Sequence, residues 1–292
     1  MSRTMPHVDG VDHQYITAGA LRMHVALAGP QDAPALVLLH GWPQHWYLWR
    51  NVIPAVAGRY RVIAPDLRGF GWTDAPPGGY RKERMASDVL ALLDALGVQR
   101  AQLVGHDWGG WIGFLLALRA PERFERYLAL NIPPPFMPPR TDPVGAAQAA
   151  LRIWYQVMLA GPVGAVGMRH GLIDVVWRSA LRDPDAMDAA TRASFTDAFR
   201  EPARARASQL LYREFLLREL LPAMAGRYRS TRLTVPTYLL FGEEDDAVDP
   251  GVLDGAEAFC DDLTIELVPG VGHFIVDERP DLVVERIGTF LG

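Results

Sequence analysis

Cysteine, lysine and long apolar runs are what this sequence has least of. Its 292 residues include one cysteine, Cys260. One thiol forms no internal disulfide and no cysteine zinc cluster, so the fold must rest on packing. No stretch approaches the ~18–20 uninterrupted apolar residues of a membrane span. Met1 to Asp12 carry His7, Asp9 and Asp12 and lack the basic-then-apolar pattern of a signal peptide, so a soluble cytoplasmic protein is expected. Lysine plus arginine number 29 against 34 acidic residues, a net charge of −5. That leaves no basic footprint for nucleic acid and no polybasic membrane patch. Nearly all the positive charge is arginine, Lys82 being the only lysine; this skew reads as codon bias, and no function is assigned to it.

What is present describes a folded chain. Hydrophobic residues make up 49% and charged residues 22%, which excludes a wholly disordered polypeptide. At ~100–200 residues per domain the length means one large domain or two modest ones.

Short apolar runs ending at Gly or Pro read as buried parallel strands: Ala35 to Leu39, Tyr60 to Ala64 and Ala101 to Val104. Leu21 to Ala28 alternates weakly, like a half-buried antiparallel strand. Between the runs, Lys82 to Leu96 and Trp111 to Arg119 read as helices, and strands alternating with helices imply βαβ units. The pattern breaks after Asn131, at Pro133 to Pro135 and at Pro138-Pro139. Helical segments follow, at about 144–159, 163–176, 185–199 and 202–221, with no strand of comparable quality. Strand patterns resume at Thr234 to Phe241 and Leu263 to Val268, before a last helix from about Pro280 to Phe290. The expected organisation is an α/β core over 1–136 and 233–292, interrupted by a helical cap over 137–232.

The sharpest local feature is Gly105-His106-Asp107-Trp108-Gly109-Gly110. A strand runs into a tight turn and a helix follows, with small residues where backbones must approach closely. This is the context of a nucleophile elbow with aspartate in the nucleophile's place, or of an ordinary aspartate helix cap. His40-Gly41-Trp42-Pro43 follows an earlier strand, where a loop can aim a backbone N–H at charge near Asp107, or simply turn. Asp245, in Gly242-Glu243-Glu244-Asp245, follows another strand; it can orient a histidine or sit in a solvated turn, and Asp246 competes for the role. His273, between Gly272 and Phe274, can be a loop base or a packed side chain. Nucleophile, acid and histidine after successive strands is the chain order of the α/β-hydrolases. No serine lies in G-x-S-x-G, and Cys260 lacks an elbow, so ordinary esterase and cysteine hydrolase readings fail.

With these residues in place, the sequence resembles an α/β-hydrolase of the epoxide hydrolase branch. The resemblance rests on His40-Gly41-Trp42-Pro43, Asp66 to Asp74, Gly105 to Gly110 and Gly272-His273-Phe274, and it spans essentially the whole chain. It implies a mostly parallel, doubly wound sheet with an inserted all-helical cap that contributes two tyrosines. The matching positions are Tyr155, in Trp154-Tyr155-Gln156, and Tyr212, in Leu211-Tyr212-Arg213. It further implies that Asp107 attacks an epoxide, that the two tyrosines protonate the ring oxygen, and that His273 with Asp245 activates water. The backbone N–H groups of Trp42 and Trp108 would hold the oxyanion, and a cis peptide would precede Pro43. His106 would support the loop. Trp42, Trp46, Trp108 and Trp154 would line an apolar pocket or pack the core. No metal or organic cofactor is implied; the expected partners are a small hydrophobic epoxide and water, in a monomer or homodimer.

Two alternatives stand beside this one. A dehalogenase uses the same nucleophile and base, but its patterns place asparagine at Trp42 or arginine at Trp108; only Gln44 after Pro43 resembles that group. The other is an α/β-hydrolase scaffold kept as a binding module without catalysis.

Overall fold

The computed structural model describes residues 3–136 and 154–292. Eight strands form a single sheet: β1 (Asp12–Ala18), β2 (Leu21–Ala28), β3 (Ala35–Leu39), β4 (Arg61–Pro65), β5 (Ala101–His106), β6 (Phe124–Leu130), β7 (Thr237–Gly242) and β8 (Leu263–Val268). Their spatial order is β1-β2-β4-β3-β5-β6-β7-β8. β2 is antiparallel to both neighbours, and every other pairing is parallel. β3 is apolar throughout, and β4 and β5 nearly so, because both faces of the sheet are covered there. In β3, Val37 and Leu39 enter one core cluster with Leu103 and Ala129, while Leu36 and Leu38 enter the other with Val104 and Leu128.

Two strands carry little sequence signal. β1 is an edge strand whose Asp12, Gln14 and Tyr15 are exposed, so it lacks an apolar run. β6 opens on buried Phe124 but then exposes Glu125 and Arg126, which leaves only its last four residues as a continuous buried run. Pro236 shortens the expected strand at Thr234, so β7 begins at Thr237.

In the core, a four-residue turn α1 (Ile53–Val56) precedes α2 (Lys82–Ala95) and α3 (Trp108–Arg119). α2 buries Met85, Val89, Leu92 and Leu93 on its expected face. Gly97, at a φ of +69°, supplies the left-handed residue just past its end. α3 begins at Trp108, earlier than the apolar pattern from Trp111 suggests, because the strand hands over to the helix within one residue.

Between β6 and β7 the described residues hold six helices: α4 (Trp154–Ala160), α5 (Gly164–Arg169), α6 (Leu172–Ala180), α7 (Ala189–Thr196), α8 (Pro202–Glu214) and α9 (Leu220–Met224). A π-helical turn, Phe215–Glu219, joins the last two. The helix expected from 144 lies outside the described residues up to 153. The expected helix over 185–199 is broken by Asp188, whose carboxylate caps α7 through Thr191 N–H at 2.7 Å. These helices pack over the carboxyl ends of the strands: Tyr212 meets Trp42, Phe215 meets Trp108, and Trp177 meets Phe274. The chain closes with α10 (Ile275–Glu278) and α11 (Pro280–Arg286). No helix among the described residues is long and apolar enough to cross a membrane.

Candidate active site

Asp107 stands at the carboxyl end of β5, immediately before α3. Its φ of +50° and ψ of −124° put it in a conformation that L-residues rarely adopt. Such strain persists only where the surroundings enforce it. Here the enforcement is close packing. A Cβ on Gly105 would lie 2.6 Å from the Gly109 carbonyl oxygen, and one on Gly109 would lie 2.3 Å from that of Leu39. The glycines flanking Asp107 therefore let strand, turn and helix touch, which is what an elbow requires and a plain helix cap does not.

The loop after β3 meets the Asp107 carboxylate. Trp42 N–H donates to Asp107 Oδ1 at 2.7 Å. A Cβ on Gly41 would fall 2.3 Å from the same oxygen, so only glycine permits this approach. The Trp42–Pro43 peptide is cis. His40 braces the loop: its Nδ1 donates to the Gly41 carbonyl at 2.9 Å and its Nε2 accepts from Leu67 N–H at 2.9 Å. Burial lowers the His40 pKa, in keeping with a neutral ring that donates from one nitrogen and accepts at the other.

Leu67 belongs to the Asp66 to Asp74 loop, which lies beneath. Asp66 is buried and accepts from Trp46 N–H at 2.8 Å, Trp72 N–H at 2.8 Å and His24 Nδ1 at 2.7 Å. Burial opposes its ionisation, but His24 and the other nearby histidines outweigh that and hold the carboxyl well below its usual range.

His273 arrives on the loop between β8 and α10. Its Nδ1 donates to Asp245 Oδ2 at 2.8 Å, and its Nε2 lies 3.6 Å from Asp107 Oδ2. Asp245, not Asp246, is thus the partner; Asp246 is exposed and faces Arg182 at 3.9 Å. Asp245 is buried, and its Oδ1 also accepts Ala247 and Val248 N–H at 2.8 and 2.9 Å. Burial disfavours its charge, yet His273 and these donors lower its pKa. For His273, burial again opposes the charged form, but Asp245 and Asp107 prevail and raise the pKa to about 10.

One member of the site belongs to no sequence motif. Asn131 Nδ2 donates to Asp245 Oδ2 at 2.8 Å and to the Gly272 carbonyl at 3.1 Å, tying the acid to the histidine loop. Asn131 and Asp107 are the only non-glycine residues with positive φ among the described residues. An asparagine just after a strand, where left-handed geometry suits its side chain, is the one signal the sequence offers for it.

His106 donates from Nε2 to the His273 carbonyl at 2.8 Å, and burial lowers its pKa to about 4. It props the loop as a neutral ring. Gln44 commits its amide to Asp277 at 2.7 Å. Cys260 is buried, donates to the Ala256 carbonyl at 3.4 Å, and is pushed up to about 12 by burial, as a packing residue would be.

Tyr212 on α8 is buried against Trp42, with ring centroids 5.3 Å apart, and against Trp108 at 5.7 Å. Tyr155 on α4 is half-buried, with its ring 6.2 Å from that of Tyr212. Burial, reinforced by the charge of Asp107, raises both phenol pKa values. Both therefore stay protonated at neutral pH.

Two expected pocket residues lie elsewhere. Trp154 is 62% exposed: α4 turns Gln156 and Leu159 inward, which leaves Trp154 and Val157 outside. Trp46 is fully buried beside His13 and His24 in the core under β1 and β2. Trp42 and Trp108 remain as the buried tryptophans against Tyr212.

Comparison with known proteins bears on the family. The α/β hydrolase fold family matches residues 34–280. The AB hydrolase superfamily protein YfhM of Bacillus subtilis is 31% identical over 289 residues, covering 97% of this chain and 99% of that protein. A soluble epoxide hydrolase of a Corynebacterium species is 45% identical over 124 residues, covering 42% of this chain and 43% of that one. The structure of epoxide hydrolase VrEH1 from Vigna radiata superposes with a TM-score of 0.81 at 27% identity, covering 97% and 98% of the two chains. With an aspartate elbow, a histidine and its acid arranged at the strand ends of this sheet, the chain belongs to the α/β hydrolase fold family.

Proposed function

We propose that this hydrolase opens an epoxide to a vicinal diol through an ester on Asp107. The observation that carries the reading is the pair of phenols, Tyr155 and Tyr212, set ring to ring 6.2 Å apart, with Tyr212 packed on the two tryptophans that flank Asp107 in the site; burial and the Asp107 charge raise the pKa of both. A carboxylate is a modest nucleophile, but a strained three-membered ether is a willing electrophile. The oxygen that leaves the carbon is strongly basic and needs a proton donor, which a departing halide would not. The residue set is thus matched to ring opening. Gln44, the one dehalogenase-like feature, is bonded to Asp277 instead.

In the first step an Asp107 oxygen bonds to one epoxide carbon, that C–O bond breaks, and a phenol proton passes to the ring oxygen. Esterification removes the charge of Asp107, one of the two carboxylates holding the His273 proton. His273 then releases that proton, which makes good the one the phenol gave. The neutral imidazole takes a proton from water, and hydroxide attacks the ester carbonyl. Trp42 N–H, already bonded to Asp107 Oδ1, together with Trp108 N–H would hold the oxyanion; one such donor contributes ~3 kcal/mol. The diol leaves with its proton, and carboxylate and imidazolium return. We place the helical cap over 137–232 and the core in 1–136 and 233–292, with the reaction at their seam. A small hydrophobic epoxide and water suffice as reactants.

The test is one turnover of styrene oxide in 18O-labelled water. The first diol is expected to carry its new oxygen from Asp107, unlabelled. Solvent label in that first diol would overturn the ester mechanism. Release of halide from haloalkanes without diol from epoxides would replace the reading with dehalogenation.

A further inference from the structure

The chain holds 29 lysine and arginine residues, and only Lys82 is lysine. That lysine is fully buried. It opens α2, and Glu219, from the π turn between α8 and α9, reaches down to it. Glu219 Oε1 accepts the Lys82 backbone N–H at 2.8 Å, and Oε2 lies 3.1 Å from Nζ. Nζ also donates to the Leu211 carbonyl at 2.9 Å. Its remaining surroundings are aromatic: the Trp108 ring centroid at 4.2 Å and that of Phe215 at 4.8 Å.

This environment selects a particular cation. An ammonium is a compact charge that fits over an indole while donating to a carbonyl and a carboxylate. A guanidinium is a wide planar fork and needs more room. In a chain that uses arginine everywhere else, the single lysine stands fully buried between a carboxylate, a carbonyl and two aromatic rings, where a compact group is held on all sides. Burial lowers its pKa to about 8, against the pull of Glu219, so the pocket rather than solvent sustains the charge. Compositional bias therefore does not account for Lys82.

The contacts also point at the site. Leu211 precedes Tyr212, and Trp108 follows Asp107. The Trp108 and Tyr212 rings are themselves 5.7 Å apart. The π turn that brings Phe215 and Glu219 to Lys82 begins three residues after Tyr212; such turns frequently mark functional sites. We infer that Lys82 is a positioning residue: it clamps the Tyr212 end of α8 and the Trp108 ring together so that the phenol is placed for ring opening. This rests on the epoxide reading above.

The experiment is a double-mutant cycle on the full chain with styrene oxide, following Asp107 ester formation and ester hydrolysis separately by rapid quench. Lys82→Met is expected to slow ester formation about 30- to 100-fold, the scale of a displacement near 1 Å, and to leave hydrolysis within about threefold. In a Tyr212→Phe background the same change is expected to cost less than about threefold, because both act through one phenol. Lys82→Arg is expected to open the ring no faster than Lys82→Met. Where Lys82→Met does not fold, Lys82→Met with Glu219→Met leaves no unpaired buried charge and is judged alike. Ester formation near the wild-type rate in Lys82→Met or Lys82→Arg, equal slowing of both steps, or full additivity with Tyr212→Phe would overturn the assignment. A wild type that opens the ring by Tyr212 but without need of Lys82 refutes this inference alone. A wild type inert to epoxides refutes the epoxide reading and this inference with it.

Discussion

The Nε2 atom of His273 lies 3.6 Å from Oδ2 of Asp107. That is an ion-pair distance, longer than a hydrogen bond, and it sets a carboxylate beside the imidazole. With Asp245 on the other nitrogen it outweighs burial and lifts the histidine to about 10.

A raised histidine pKa is also a statement about stability. Its contribution is complete below the unfolded value, ~6.5, and is lost as pH rises toward about 10. Lys82, lowered to about 8, contributes with the opposite sign between about 8 and its ordinary value of 10.5, which overlaps that window. The informative quantity is therefore the difference between wild type and Asp107→Asn. The wild type is expected to lose its stability advantage over the variant between about pH 7 and pH 10, followed by urea unfolding.

Asn131 donates to the oxygen of Asp245 that also holds His273. Asn131→Asp keeps the shape and tolerates the positive φ, but turns a donor into a repelling acceptor. Steady-state turnover is expected to fall about tenfold or more, on the scale of ~1.5–3 kcal/mol for a hydrogen bond to a charge. The Asp107 ester is expected to form and to persist, which mass spectrometry of the quenched protein reads directly.

Gly41→Ala would force a methyl carbon to within 2.3 Å of Asp107 Oδ1 unless the loop gives way. Displacing the loop also displaces the Trp42 N–H. Activity is expected to drop about a hundredfold or more, and steady-state kinetics on a folded variant check it.

Trp154→Ala makes the opposite case. The side chain is exposed, so stability is expected within about 0.5 kcal/mol of wild type and kcat/KM within about twofold. Thermal unfolding and kinetics on one preparation decide it.

Asp107, Asp245 and His273 are nameable from the sequence because each follows a strand pattern, and Asp107 sits among glycines that close packing requires. Choosing Asp245 over its neighbour Asp246 needs the structure, since adjacent acids differ in burial and not in letter. Asn131 is silent in the sequence because its work is a side-chain hydrogen bond across 114 residues. The rarity of Lys82 is visible in the sequence, but its burial under Trp108 is not. The parallel core strands announce themselves by continuous apolar runs. β1 and β6 do not, because an exposed edge and a charged entry replace those runs with polar residues. Trp154 fails as a pocket residue for a similar reason: helix phase, not residue type, decides which way an aromatic points.

β6 and β7 are hydrogen-bonded neighbours, pairing Tyr127 with Thr237, although residues 131–236 separate them in the chain. To the sheet, that segment is a parenthesis: it opens and closes at adjacent strands, about 4.8 Å apart. Such a detour can lengthen, shorten or be exchanged at an entropic cost that grows only with the logarithm of its length. Asp107 and His273 would keep their places throughout, while the helices packed above them were rewritten.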